Sequence, residues 1–294
     1  MIRRVAGLTA VGVVLAVSGL AAQEGADDGR PELEITALDY EFRAPAAEVS
    51  AGWRTVEFHN EGEETHVLEL FRIPEDGTYR EVRRFYGVLD TLRADLEAGV
   101  IDSATYRKTL KEHTPSFELE RAGGPGMVAP GRTTHATSRL EPGTHVMICY
   151  VRDSVGTPHL FRGMRGRLEV GPSSAGKEPP EPDLEVTLAD YEMTVEGDLE
   201  SGEQTVAVHY GEREKALEPP YMTVRFARLG EGTTSDTVRQ WDGSAPAPAD
   251  YLGGANPLPA GETMYFTVNV DPGRYALVIP AGEGPGAEET FTVP

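Results

Sequence analysis

The chain has 294 residues, with 27 basic against 48 acidic side chains, a formal net charge of -21. Such a charge repels nucleic acid and anionic membrane surfaces, so neither is expected as a partner. A single cysteine excludes an internal disulfide framework.

The first element in chain order is an export signal over residues 1–22. Arg3 and Arg4 precede an apolar run from Val5 to Leu20, and Ala21-Ala22-Gln23 follows. The run is short for a membrane span, although an uncleaved anchor is the alternative. No later apolar stretch is long enough to span a bilayer, so no span is expected beyond the signal. The mature chain is expected to be periplasmic or extracellular. A lone thiol in such an oxidising place calls for burial, an intermolecular bond or metal ligation.

An internal repeat organises the rest. Leu33-Glu34-Ile35-Thr36-Ala37-Leu38-Asp39-Tyr40-Glu41 matches Leu184-Glu185-Val186-Thr187-Leu188-Ala189-Asp190-Tyr191-Glu192. Gly52 to His59 matches Gly202 to His209, Gly123-Gly124 matches Gly253-Gly254, and Pro142-Gly143 matches Pro272-Gly273. These matches predict two copies of one domain, at 31–171 and 183–294, joined by a Pro/Gly/Ser/Glu linker at 172–182. The charge divides unevenly. Pro31 to Pro172 holds 17 basic and 23 acidic residues, whereas Asp183 to Pro294 holds 6 and 20.

Each copy reads as short strands punctuated by turns, including Thr55–Phe58, His66–Arg72, Thr133–Leu140, Thr144–Tyr150 and Arg167–Val170. The expected fold is all-β: two tandem antiparallel Greek-key sandwiches. The first copy carries a helical insert over 79–113 that the second is expected to lack. Val82, Phe85, Leu89, Leu92 and Leu96 follow a helical face, and Asp102 or Ser103 caps a second, weaker helix. Packing on the sandwich edge accounts for the insert; a lid or docking surface is the sharper alternative.

The chemistry concentrates after the strand ending at Cys149. Pro158-His159 and Gly163-Met164 follow that cysteine, giving C-x9-H-x4-M. A thiolate, an imidazole and a thioether are three of the four ligands of a type 1, blue-copper centre, which also needs a second imidazole. His66 supplies it: strand alternation puts it on the face of Leu68 and Leu70, with Glu69 pointing away. His145 and Met147 share the Cys149 face and read as packing. His113 and His135 belong to no pattern. Zinc could use one thiolate, two imidazoles and a water, but the thioether favours copper.

The segment Gly143 to Val170 resembles the C-terminal hairpin of the cupredoxins, the blue-copper sandwich family. There a Cys ends one strand, and His and Met follow in the loop before the last. The Cys-to-His spacing is longer than in the plastocyanin-like C-x2-H-x4-M and close to the C-x8-H-x4-M of copper nitrite reductases. The resemblance implies one type 1 copper ion on His66, Cys149, His159 and Met164. Ile148 stands where nitrite reductases and multicopper oxidases place a histidine for further copper, which argues against a multicopper enzyme of those kinds. In the second copy, Met222 and Ile279 take the places of His66 and Cys149, so that copy is expected to be metal-free. Features kept in both copies, such as Asp39-Tyr40-Glu41, His59 with His209 and the glycine pairs, read as structural.

The function expected is single-electron transfer by an exported copper protein. The alternatives are a cupredoxin-like binding or structural module without a redox role, and periplasmic copper buffering or delivery. No nucleophile, acid/base or phosphate motif is recognisable. Arg152, Arg162, Arg165 and Arg167 crowd the ligand loop and suggest an acidic redox partner, with ordinary solvated charge as the plainer account.

Overall fold

The computed structural model describes residues 33–44, 48–173, 178–189, 192–212, 222–281 and 286–294. The expected signal (1–22), linker residues 174–177 and the Asp190-Tyr191 pair lie outside the described residues.

The first copy runs β1 (Leu33–Leu38), β2 (Glu41–Arg43), β3 (Val49–Asn60), β4 (Glu69–Arg72), α1 (Tyr79–Glu97), α2 (Ser103–His113), β5 (Glu120–Arg121), β6 (Pro125–Val128), β7 (Thr133–Leu140), β8 (Gly143–Ile148) and β9 (Arg165–Ser173). The second runs β10 (Leu184–Ala189), β11 (Glu192–Glu196), β12 (Gly202–Tyr210), β13 (Val224–Arg228), α3 (Ser235–Gln240), β14 (Asp250–Ala255), β15 (Thr263–Val270), β16 (Gly273–Ile279) and β17 (Ala287–Val293). The pairings repeat. In each copy the first two strands form a hairpin, the first lies parallel to the third, and the third pairs antiparallel with β7 in the first copy and with β15 in the second. The other layer is β9-β8-β4-β5 in the first copy and β17-β16-β13-β14 in the second.

β3 belongs to both layers. Its first residues pair with β9, and from Gly52 onward it pairs with β7. Gly52 makes this change of layer with φ 113, and Gly202, at the same place in β12, has φ 116. A side chain at either φ would be strained, which explains why the repeat keeps a glycine there. Alternation along β3 and β10 buries Val56, Phe58, Leu184, Val186 and Leu188 against the opposite layer.

The copies share their sheets. β7 pairs antiparallel with β15, as Tyr265↔Thr137, Phe266↔Ala136 and Thr267↔His135. These strands are equivalent in the repeat, so the contact is self-complementary about the Ala136–Phe266 pair. β6 pairs with β14 in the other layer. Two strands that would otherwise be exposed edges thus cap each other.

Both helices of the insert form. Thr78 accepts the Glu81 N–H at the start of α1, and Asp102 accepts the Thr105 N–H at the start of α2. Val82 and Leu92 are buried, whereas Phe85, Leu89 and Leu96 are half-buried. The insert sits against the outer face of β8: Val82, Ile73, Val146 and Ile148 make a small core of their own. Both faces of β8 are therefore covered. The second copy does not lack a helix at this point, as α3 occupies the same place between β13 and β14. Its six residues carry only one buried apolar side chain, Val238, too weak a stripe to be read from periodicity.

Candidate metal centre

His66 lies just ahead of β4, where its backbone exchanges hydrogen bonds with Val128: His66 N–H donates to Val128 O (3.1 Å) and Val128 N–H to His66 O (2.8 Å). The expected strand His66–Arg72 is shorter by three residues, because pairing with β8 begins at Glu69, while His66 bridges to Val128 and Leu68 N–H donates to Pro125 O. Glu69 does not point to solvent. It is 6 % exposed and ion-paired with Arg121.

Cys149 follows β8 directly. The loop to Met164 is closed by its own backbone: Cys149 N–H donates to Met164 O, Leu160 N–H to Cys149 O, His159 N–H to Val151 O and Met164 N–H to His159 O. A 3-10 turn at His159–Arg162 ends at Gly163 with φ 111. Asp153 pins the middle of the loop: one carboxylate oxygen accepts the Val155 and Thr157 N–H groups, and the other accepts from Arg162. The second copy clamps it from outside. Arg152 N–H donates to Gly243 O and Ala245 N–H to Arg152 O. From the first copy's insert, Arg93 lies over the Phe161 ring and Asp90 pairs with Arg165. These three supports bring a long Cys-to-His loop back to the strand it left.

The result is a convergence of His66, Cys149 and His159, all without exposed surface. The two Nδ1 atoms are 3.1 Å apart, and Cys149 Sγ lies 3.5 Å from His159 Nδ1 and 3.9 Å from His66 Nδ1. Among the described residues it is the only group of three His, Cys, Asp or Glu ligand atoms lying within 4.8 Å of one another. Met164 is also fully buried, in the same core cluster as Cys149. His145 is fully buried near the opposite end of β8, away from this cluster, and its Nδ1 meets Gly143 O. His113 and His135 bond locally, to Thr109 O and Glu57.

The donor set passes a metal test. A triangle with sides of 3.1, 3.5 and 3.9 Å has its centre about 2.0 Å from each corner, close to the bond lengths of about 2.0–2.3 Å that nitrogen and thiolate make to a first-row divalent ion. The outer nitrogens are held by acids: His66 Nε2 is 3.0 Å from Asp39 Oδ1, and His159 Nε2 is 2.8 Å from Glu64 Oε2. The second contact is close but lies off the ring's donor direction. Asp39 favours the proton on Nε2 of His66 and so turns that ring's Nδ1 lone pair inward, while Glu64 sets a negative charge beside His159 without a hydrogen bond to it. The two Nδ1 atoms at 3.1 Å can share a proton or a cation between them.

Burial governs the ionisation of the donors. It pushes the Cys149 thiol up to about 12, against the pull of the Val67 and Val151 backbone N–H groups. Burial, aided by neighbouring His66, lowers His159 to about 4. It lowers His66 as well, with Asp39 opposing. Both imidazoles are therefore neutral near pH 7, the form that ligates. Burial also works to raise Asp39, but the Glu63 N–H, His66 and the Glu64 N–H outweigh it and hold the acid low. Glu64 is raised by burial and by Asp39 and Asp153.

Asp39, Tyr40 and Glu64 are functional neighbours that repeat logic assigned to structure or passed over. Tyr40 sets its ring edge-on to His159 with centroids 5.1 Å apart, from a backbone with φ 68. That positive φ follows from the β1–β2 turn, which both copies share in sequence. No signal in the sequence separates the turn's structural use from its contact with the ligands. Three of the four loop arginines are ion-paired, Arg162 with Asp153, Arg165 with Asp90 and Arg167 with Glu169.

No family model matches the chain, and no curated protein does. Among solved structures it is similar to an auracyanin from Roseiflexus castenholzii, with 20 % identity and a TM-score of 0.29 over 47 % of this chain and 95 % of that one. It is likewise similar to a multicopper oxidase (15 %, TM-score 0.26, 89 % and 88 %) and to a copper nitrite reductase from Nitrosomonas europaea (14 %, TM-score 0.22, 89 % and 92 %). At these values the likeness carries nothing about chemistry, and the functional reading rests on the side chains.

Proposed function

We propose that the chain binds one copper ion as a type 1 centre on His66, Cys149 and His159, with Met164 as the weak fourth ligand, and passes single electrons. The observation that carries this is the meeting of one thiol sulfur and two inward-facing imidazole nitrogens in a fully buried cluster. Copper, when bound, supplies a one-electron couple, and soft sulfur with imidazole suits both of its oxidation states. The protein's part is to hold the donors in one arrangement. Backbone bonds fix Cys149 and His159 to each other, and the Val128 bridge fixes His66. The Cys149 thiol gives up its proton only as metal enters, and no polar cavity is needed for a substrate.

The reading places the protein outside the cytoplasm, with residues 1–22 as its signal. No helix among the described residues is long and apolar enough to cross a membrane.

The test is titration of the purified chain with cupric ion, followed by visible absorption and metal analysis. An intense thiolate-to-copper band that saturates at one ion per chain, with a reversible one-electron wave, is the expected result. Binding without a reversible wave supports buffering or delivery instead. A chain that takes up no copper is a binding module.

A further inference from the structure

Two carboxylates face the outer edges of the two donor imidazoles, one each. Asp39 Oδ1 is 3.0 Å from His66 Nε2, and Glu64 Oε2 is 2.8 Å from His159 Nε2. Resting on the copper reading above, we propose that Asp39 and Glu64 tune the centre: Asp39 is the positioning residue that aims His66 Nδ1 at Cys149 Sγ, and both carboxylates bias the bound ion toward its oxidised state.

The acids are built into place. Both oxygens of Asp39 accept the Glu63 N–H, at 3.0 and 3.2 Å, and Oδ1 also meets the Glu64 N–H at 3.3 Å. The 60–64 turn is drawn tight around it. Asn60 donates to Glu64 O and Val128 O, and its side-chain oxygen accepts the Gly62 N–H. A Cβ on Gly62 would stand 2.5 Å from Asp39 Oδ1 and 2.6 Å from His66 Nε2, so only glycine lets the turn close on this pair. Tyr40 reaches Glu64 with its hydroxyl at 3.5 Å while its ring borders His159. The β1–β2 turn and the 60–64 turn, joined through Asp39, therefore bring one acid to each histidine.

The charge argument follows from counting. A thiolate and two carboxylates bring three negative charges beside the ion. With divalent copper the group sums to -1, and with monovalent copper to -2. The side chains are 34 % and 22 % exposed, so solvent screens them only in part. The reduced state then carries the larger uncompensated charge, and each acid removed should favour it. Asp39 also orients. With the His66 Nε2 proton held outward, a flip of that ring would put a C–H in place of the N–H against the carboxylate.

The test uses the full chain with Asp39→Asn, Glu64→Gln and both together. These changes keep an oxygen acceptor for the turn amides and remove the charge. In the copper-loaded chain, spectroelectrochemical titration should show the ratio of Cu(II) to Cu(I) affinity falling about tenfold per variant, or about 59 mV for a one-electron couple. The double variant should shift further, and the thiolate-to-copper band should persist. In the metal-free chain, ring-nitrogen NMR should show the proton on Nε2 of His66, with mixed tautomers in Asp39→Asn. A potential within twofold of wild type in affinity ratio, with the band intact, overturns the charge role. A proton on Nδ1 of His66 in the wild type overturns the orienting role. Should Asp39→Asn fail to fold, Glu64→Gln decides the charge arm and the wild-type NMR spectrum decides the orienting arm. Failure of the copper reading looks different: the wild-type chain develops no band, while the NMR arm still decides whether Asp39 orients His66.

Discussion

The two copies have one framework and different ends. Matching the pairing of Glu69 with Ile148 to that of Arg225 with Val278 puts His66 on Met222 and Cys149 on Ile279. All four are buried. The ladder partners Ile148 and Arg165 enclose sixteen residues, whereas Val278 and Glu288 enclose nine. Apolar side chains thus fill in the second copy what thiol and imidazole fill in the first. The first copy adds a longer loop, and the loop leans on the insert on one side and on the second copy on the other.

The comparison breaks most sharply by exchanging roles at the equivalent pair. Cys149→Ala should abolish the visible copper band and weaken copper binding well beyond the about 10–100-fold that an outer-shell change costs. The metal-free fold should survive, since only a thiol group is exchanged for a hydrogen in the packed interior. Ile279→Ala should do the reverse, with stability falling by about 2–5 kcal/mol and the band intact. Copper titration and denaturant unfolding of both variants read the two effects. A chain in which Ile279→Ala removes the band, or Cys149→Ala keeps it, would contradict the assignment of the site to one copy.

Acid should also separate the copies. His145 and His159 are fully buried, and burial lowers each to about 4, against an ordinary value near 6.5. A lowered histidine contributes stability that is fully present above its unfolded value and is lost as pH falls from about 6.5 to about 4. Together the two should remove on the order of several kcal/mol over that window in the metal-free chain. Among the described residues the second copy has one histidine, His209, which is half-buried and bonded to Thr263. Hydrogen exchange between pH 7 and 4 should show protection lost first in β3, β4 and β8, and equal loss in β12 and β16 would refute the idea.

Residue type and order alone made the meeting of His66, Cys149 and His159 legible, because a thiolate and two imidazoles fit one metal geometry. The repeat exposed the strand order by the same means, since Gly52 recurs as Gly202 and Gly123-Gly124 as Gly253-Gly254, all at positive φ. Asp39 and Glu64 stayed hidden. Asp39 recurs in the copy without donors, and Glu64 ends an acidic run, Glu61-Gly62-Glu63-Glu64, that reads as solvated charge. Equally hidden was the sharing of sheets through β7 and β15, since edge pairing depends on how two bodies meet rather than on the pattern within either. The loop's closure across nine residues depends on that meeting as well.

Asn256 tests the dependence of one copy on the other. It is fully buried in the second copy, yet its side chain donates to the carbonyls of Leu68, Gly124 and Pro125 and accepts from the Tyr150 hydroxyl. Asn256→Ala takes a donor from the buried Leu68 and Pro125 carbonyls, at a cost of about 1–3 kcal/mol. The same groups flank His66 and Cys149, so copper should dissociate faster with its band unshifted in position. Stopped-flow transfer of copper to a chelator measures this, and an unchanged rate would show that the second copy steadies the fold without steadying the site.

The smallest effect expected is at the loop arginines. Arg162, Arg165 and Arg167 each face a carboxylate of their own copy, and the Arg152 side chain turns to Gly156 O. A collar neutralised in this way steers a partner weakly, because steering depends on net field rather than on the number of cations. Arg152→Glu with Arg167→Glu changes the local charge by four and leaves the Asp153 and Asp90 pairs untouched. With an acidic redox protein at low salt, electron transfer should slow by a few-fold, and the difference should vanish near physiological ionic strength, where the Debye length is about 8 Å. A loss of a hundredfold or more would mean that the arginines act as a docking site despite their pairing, and that the acidic second copy, with 6 basic against 20 acidic residues, serves to keep such partners oriented toward the first.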